Sequence, residues 1–131
     1  MAARLAAEHM TDEEIAGLRE LLDQHGRQIE EDSGQAYFQK VGDLDFHYRI
    51  VQGSRNSQLI KLLCNDLYHL MRLYRYQFGM QSRRAPRAFV EHRMIVDAIE
   101  QRDGEMAELI MRHHIRTSRE NVKSMLTARA S

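Results

Sequence analysis

A single proline, Pro86, among 131 residues leaves almost the whole chain free to be helical. Proline removes a backbone donor and clashes with the preceding turn, so its scarcity takes away the strongest helix breaker. Few glycines interrupt the pattern, and no stretch alternates apolar and polar residues for long enough to specify a strand. Apolar residues recur instead at intervals of three and four, the period of an amphipathic helix. The reading is all-α. Short connections favour antiparallel neighbours, so the expected architecture is an antiparallel bundle of about six helices.

The elements can be placed along the chain. Residues 2–9 read as a short helix with no capping residue before it. Thr11-Asp12-Glu13-Glu14 is a capping box, with Thr11 as N-cap and Glu14 reaching back. Ile15, Leu18, Leu21, Leu22 and Ile29 give the second helix an apolar face, and Ser33-Gly34 breaks it. A third helix is expected from about Gln35 to Val51, with Val41, Leu44, Tyr48 and Val51 on one stripe and Asp43, His47 and Ile50 on the next. After a turn at 53–56, a fourth runs from near Ser57 to about Phe78, carrying Leu59, Leu62, Leu63, Leu67, Leu70 and Tyr74. A basic loop covers 79–85, and Pro86 suits the first turn of the fifth helix. That helix holds Phe89, His92, Ile95, Val96 and Ile99. Asp103-Gly104 ends it and caps the sixth, which holds Met106, Leu109, Ile110, His114, Asn121 and Met125.

Length and composition bound the function. The 131 residues fit one domain, expected to span 1–131. With 43% hydrophobic and 29% charged residues, the chain can build a modest core. Lysine plus arginine equals aspartate plus glutamate, 19 against 19, so no net positive field is available to hold nucleic acid through its phosphates. Cys64 is the only cysteine, which excludes an intrachain disulfide and a thiolate zinc cluster; a small buried helical residue is the expectation. No apolar run reaches membrane-spanning length, and the first residues do not form a signal peptide, so a cytoplasmic setting is expected.

Four residues stand out as a possible metal site. Asp43 and His47 lie four apart and project from one face of a helix. His92 and His114 lie on two later helices, so three imidazoles and a carboxylate could converge from three elements. Seven histidines are present, and His9, His25, His69 and His113 are assigned to solvent or ordinary hydrogen bonding. Adjacent helical residues point about 100° apart, so only one of His113 and His114 should face a given site. His114 lies one turn beyond Ile110 on the apolar side and is preferred. Such a donor set suits zinc, nickel, iron(II), cobalt or manganese and does not select among them.

The order of motifs resembles the FCD effector domain of the FadR subfamily of GntR-type bacterial transcriptional regulators. The resemblance is carried by Ala-Ala-Arg-Leu-Ala-Ala-Glu-His-Met-Thr-Asp-Glu-Glu-Ile, then Asp43-Leu-Asp-Phe-His47-Tyr-Arg-Ile and Asn56-Ser-Gln-Leu. It continues through Glu91-His92-Arg-Met-Ile-Val-Asp-Ala-Ile, Arg102-Asp103-Gly-Glu-Met-Ala and Met111-Arg-His-His114-Ile. It covers essentially the whole chain. It implies that Asp43, His47, His92 and His114 are the metal ligands, His114 being the histidine that directly precedes an aliphatic residue, Ile115.

The resemblance also implies a partner set. The bound ion, zinc or nickel ahead of iron or manganese, would take a small organic acid effector in its open positions. Arg72 and Arg75 are candidates to line that cavity, with Asn121 as a further one. Regulators of this kind are homodimers and contact DNA through a winged helix-turn-helix domain placed before the effector domain. That domain is absent from this chain, which is expected to be an isolated sensor rather than an enzyme. Two other readings are open: a mononuclear metal-dependent hydrolase, with Asp45 or Glu91 as general base, and a structural bundle with incidental histidines.

Overall fold

The computed structural model describes residues 1–32, 42–67 and 85–130. These are helical, with α1 at Ala2–His9, α2 at Asp12–Asp32 and α3 at Gly42–Gly53. A single turn, α4 at Ser57–Leu59, runs on into a π-helical segment, Ile60–Leu67. Two long helices, α5 at Ala85–Glu100 and α6 at Gly104–Ala130, complete the bundle. No strand occurs among the described residues, so the all-α reading holds. No described helix is long and apolar enough to cross a membrane.

The helix ends follow local chemistry. Glu14 donates its backbone N–H to Thr11 Oγ1 at 3.1 Å, and Thr11 N–H donates to Glu14 Oε1 at 3.0 Å, which closes the capping box read from the sequence. Asp103 caps α6 by accepting from Met106 N–H at 3.0 Å. The stop of α5 differs from expectation in detail. Arg102, not a glycine, takes the left-handed conformation, with φ 59°. Asp103 N–H bonds Ala98 O and Arg102 N–H bonds Ile99 O, both at 2.9 Å, the pairing of a Schellman stop. The Arg102 side chain then bonds Ala7 O at 3.2 Å, Met10 O, and Asp12 Oδ1 at 2.8 Å. It thereby satisfies carbonyls that the end of α1 would leave orphaned.

α1 packs against α6, α3 and α5; α2 packs against α5 and α3; α5 and α6 pair as a helical hairpin. The buried face of α1 is Ala3, Ala6 and Ala7, all fully buried, so neighbouring backbones come close. A side chain at Gly104 would meet Arg4 O at 3.2 Å, which explains a glycine at the start of α6. Gly53, at the end of α3, is likewise crossed by the side chain of Met10. The centre is filled by Leu18 and Leu22 of α2, Phe46 and Ile50 of α3, and Ile95, Val96 and Ile99 of α5. Each contributes about 1.5–3 kcal/mol by leaving water.

The apolar faces of α2 and α5 match their sequence periods, and Cys64 is buried as expected. On α3 the inward stripe is Phe46–Ile50, while Tyr48 is 37% exposed. Of the expected Val41–Leu44–Tyr48–Val51 stripe, Tyr48 is therefore turned toward solvent while Val51 is buried. On α6, Ala107 is buried with Ile110 and Met111 packed against the core, while Met106 and Leu109 face out. Leu62 is also exposed. The expected beginning of the third helix and the continuation of the fourth, with Leu70 and Tyr74, lie outside the described residues.

The Glu14 carboxylate has a second task. It receives the Arg55 guanidinium through both oxygens, tying α2 to the turn after α3, where Arg55 itself is left-handed at φ 58°. The Arg55 hydrogen bond first, and the Thr11 N–H second, hold the Glu14 pKa down to about 2 from an ordinary 4.5. A carboxyl lowered on folding stabilises fully above its unfolded pKa and loses that contribution as pH falls toward the folded value. Thermal melts taken between about pH 4.5 and about pH 2 should therefore show a steeper decline for the parent protein than for Glu14→Gln. Parallel curves for the two proteins would refute this assignment.

Candidate metal centre

Three helices deliver one imidazole each. His47 sits on α3, His92 on α5 and His114 on α6. His92 and His114 are 0% and 1% exposed, and His47 is half-buried. Periodicity explains the placement. His92 lies three residues before Ile95 and four before Val96 on the core stripe of α5, and His114 follows Ile110 by one turn. His47 flanks the buried Phe46, at the edge of the inward stripe.

The nitrogen atoms converge. His114 Nε2 stands 3.1 Å from His92 Nε2 and 3.2 Å from His47 Nε2. One nitrogen from each of the three rings lies within 4.8 Å of the others, an arrangement that could hold a metal ion. Imidazole nitrogens bound at about 2.0–2.1 Å from a common ion stand about 3.0 Å apart at a right angle and about 3.4 Å apart at a tetrahedral angle. Both spacings from His114 fall within that interval.

The rings are braced differently. Phe46 stacks on His92 with centroids 4.1 Å apart and planes 17° from parallel. His47 stacks on His114 at 5.1 Å and 17°. His92 meets His114 edge to face, at 4.6 Å and 70°. On its far side His114 Nδ1 lies 2.8 Å from Glu91 Oε1. A carboxylate only accepts, so His114 carries its proton on Nδ1 and presents a lone pair at Nε2. That lone pair faces Nε2 of both His92 and His47, and a cation bound there would take the place of a proton shared among them.

The sequence-predicted residues separate into three groups. His47, His92 and His114 come together as expected, and His114 is indeed the inward member of its pair, since His113 is exposed. Asp43 lies on α3 one turn before His47, in register with the cluster, and its side chain is outside the described residues. Asn121 falls two turns beyond His114 on α6, and its side chain is likewise outside them. Arg72, Arg75 and His69 lie outside the described residues altogether. Asp45 is exposed, whereas Glu91 is buried against His114. His25, assigned to solvent or ordinary bonding, is buried on α2. Phe46 is the supporting residue that sequence reasoning passed over; its place one residue before His47 was the available signal.

A family model for the FCD domain matches residues 1–117. The chain belongs to that family, the effector-binding domains of GntR-type regulators. Against individually curated proteins it finds no match.

The buried Glu91–His114 contact makes a stability prediction that needs no metal. His114→Ala removes the 2.8 Å partner of a buried carboxylate, and in chelator-treated buffer it should cost about 1–3 kcal/mol in urea denaturation. His113→Ala, at an exposed position, should stay within about 0.5 kcal/mol. Equal effects of the two substitutions would be inconsistent with the geometry.

Proposed function

We propose that this FCD domain senses a small organic acid through a divalent transition metal held by His47, His92 and His114, with Asp43 as a fourth ligand. The observation that carries the reading is the convergence of three Nε2 atoms from three helices. Family membership supplies the sensory role. Asp43 joins the set because it stands one turn from His47 on α3. Zinc or nickel is the proposed ion, with iron(II) or manganese as further candidates; imidazole nitrogens with one carboxylate suit all four.

Four protein ligands on a six-coordinate ion leave about two positions, and a bound divalent ion there supplies Lewis acidity for a carboxylate and a neighbouring hydroxyl. The chain's own residues do the rest. His92 and His114 are shielded from solvent, which strengthens their interaction with a cation. Arg72 and Arg75 are proposed to pair with the effector carboxylate, and Asn121, on the face of α6 that bears His114, to hydrogen-bond it. The chain is proposed to act in a FadR-type bacterial homodimer in the cytoplasm, as one domain over 1–131. DNA binding would belong to a winged helix-turn-helix domain outside this sequence. Effector binding would matter through its preference for one arrangement of the bundle.

The hydrolase reading gains no support from Glu91. Its carboxylate engages His114 Nδ1, on the opposite edge of the ring from Nε2, and so is aimed at orienting the ligand rather than at activating water.

The test is a metal titration followed by a ligand screen. Untagged protein should take up about one equivalent of zinc or nickel, and His47→Ala, His92→Ala or His114→Ala should lower the affinity by at least about 100-fold, losing a first-sphere ligand. Zinc-loaded protein should gain thermal stability with a hydroxy acid, sugar acid or dicarboxylate, whereas the apo protein should not. A parent protein that takes up no transition metal would sink the proposal. Metal uptake with no acid raising the melting temperature would leave the metal centre standing and remove the acid-sensing part.

A further inference from the structure

The hairpin of α5 and α6 holds His114 at both of its nitrogens. Nε2 faces His92 at 3.1 Å and Nδ1 faces Glu91 at 2.8 Å, and these two partners are consecutive residues of α5. Consecutive helical side chains diverge by about 100°. Glu91 and His92 therefore reach opposite edges of one imidazole, and the dipeptide acts as a two-pronged holder for a residue on the next helix. Glu91 is 6% exposed, unusual for a glutamate. Its second oxygen, Oε2, lies 3.8 Å from Nε2 of the exposed His113, toward solvent, while Oε1 is committed inward.

We infer that Glu91 is a positioning residue for the metal centre: by accepting from His114 Nδ1–H it keeps the Nε2 lone pair directed at the ion. This rests on the metal-centre reading above. The physical grounds are specific. An imidazole ligand must present an unprotonated nitrogen to a cation, and the hydrogen bond at its other nitrogen decides which one that is. An isolated neutral histidine prefers its proton on Nε2, the wrong place for this site. The Glu91 carboxylate reverses that preference, and a charged acceptor makes the bond stronger than a neutral one would. It also fixes the ring rotation, because His114 cannot turn about its Cβ–Cγ bond without giving up a buried charge-assisted contact. Phe46 stacks on the face of His92, at 4.1 Å. The bracing of the two fully buried histidines thus includes a carboxylate for one and an aromatic ring for the other.

The test uses Glu91→Ala, Glu91→Leu and Glu91→Gln in the full chain. Leucine fills the volume with no acceptor, and glutamine restores an acceptor oxygen without the charge. Zinc affinity, measured by competition with a chromogenic chelator, should fall by about 10–100-fold in the Ala and Leu variants, and Gln should recover most of it. Nitrogen-15 imidazole spectra of the metal-free protein should place the His114 proton on Nδ1 in the parent and Gln proteins and shift it toward Nε2 in Leu. Leu or Ala variants that bind zinc as tightly as the parent would overturn the inference, as would a His114 tautomer that does not respond to Leu. A loss of melting temperature with unchanged zinc affinity would mark Glu91 as a structural staple only, and also overturns it. A parent protein with no zinc uptake ends the metal reading itself, an outcome visible before any variant is made.

Discussion

Burying imidazoles in an apolar core is costly unless every ring nitrogen has work to do. That constraint organises this structure. His92 and His114 are as buried as the isoleucines beside them. They are tolerable there because they face one another, and because His47 and Glu91 complete the cluster. The arrangement requires α3, α5 and α6 to sit at fixed spacing and rotation. A slip of one residue on α6 would exchange His114 for His113 and leave both Glu91 and His92 facing the wrong side chain. Polar groups in a core set register in this way more than they add stability.

The rest of the bundle holds that register. The fully buried side chains of α1 are all alanines, so it can lie close to the three histidine-bearing helices at once. Arg4 bonds Glu108 at 2.7 Å, joining α1 to α6, and Arg19 bonds Asp97 at 2.7 Å, joining α2 to α5. Exposed pairs of this kind contribute little each. Arg102 does more, because it answers backbone carbonyls at the end of α1 from the corner between α5 and α6. Its left-handed backbone, uncommon for arginine, is the local cost of putting a long donor where glycine would ordinarily sit.

Much of this was legible in the sequence, and the reasons for the remainder are physical. Thr11, Glu14 and Asp103 were readable because capping is local: donor and acceptor lie within one turn. The preference for His114 over His113 was readable because helical phase carries it from Ile110. Phe46 was not, because α3 has apolar residues on two adjacent stripes and periodicity alone does not say which one faces inward. The structure turns Tyr48 out and Phe46 in. Arg55 and Arg102 in left-handed conformations were invisible too, since their warrant is a distant partner, Glu14 in one case and the carbonyls of α1 in the other. Glu91, which the sequence offered as a general base, could be placed against His114 only by the packing of α5 on α6.

The geometry also limits how an effector could be felt. A cation bound by His47, His92 and His114 would link α3, α5 and α6, which these imidazoles already join through close nitrogen contacts and ring stacking. The same three helices are those against which α1 packs. α1 meets them through Ala3, Ala6 and Ala7, side chains with no rotamers to absorb a displacement. The buried part of that interface therefore cannot absorb a change in the relative placement of the histidine-bearing helices by side-chain rearrangement; α1 must move with them or lose that packing. Close-packed interfaces respond to small shifts as discrete alternatives rather than by continuous deformation. A histidine cluster assembled from three helices, with an alanine-faced helix resting on all three, is an arrangement in which a ligand acting on the cluster would be registered at α1.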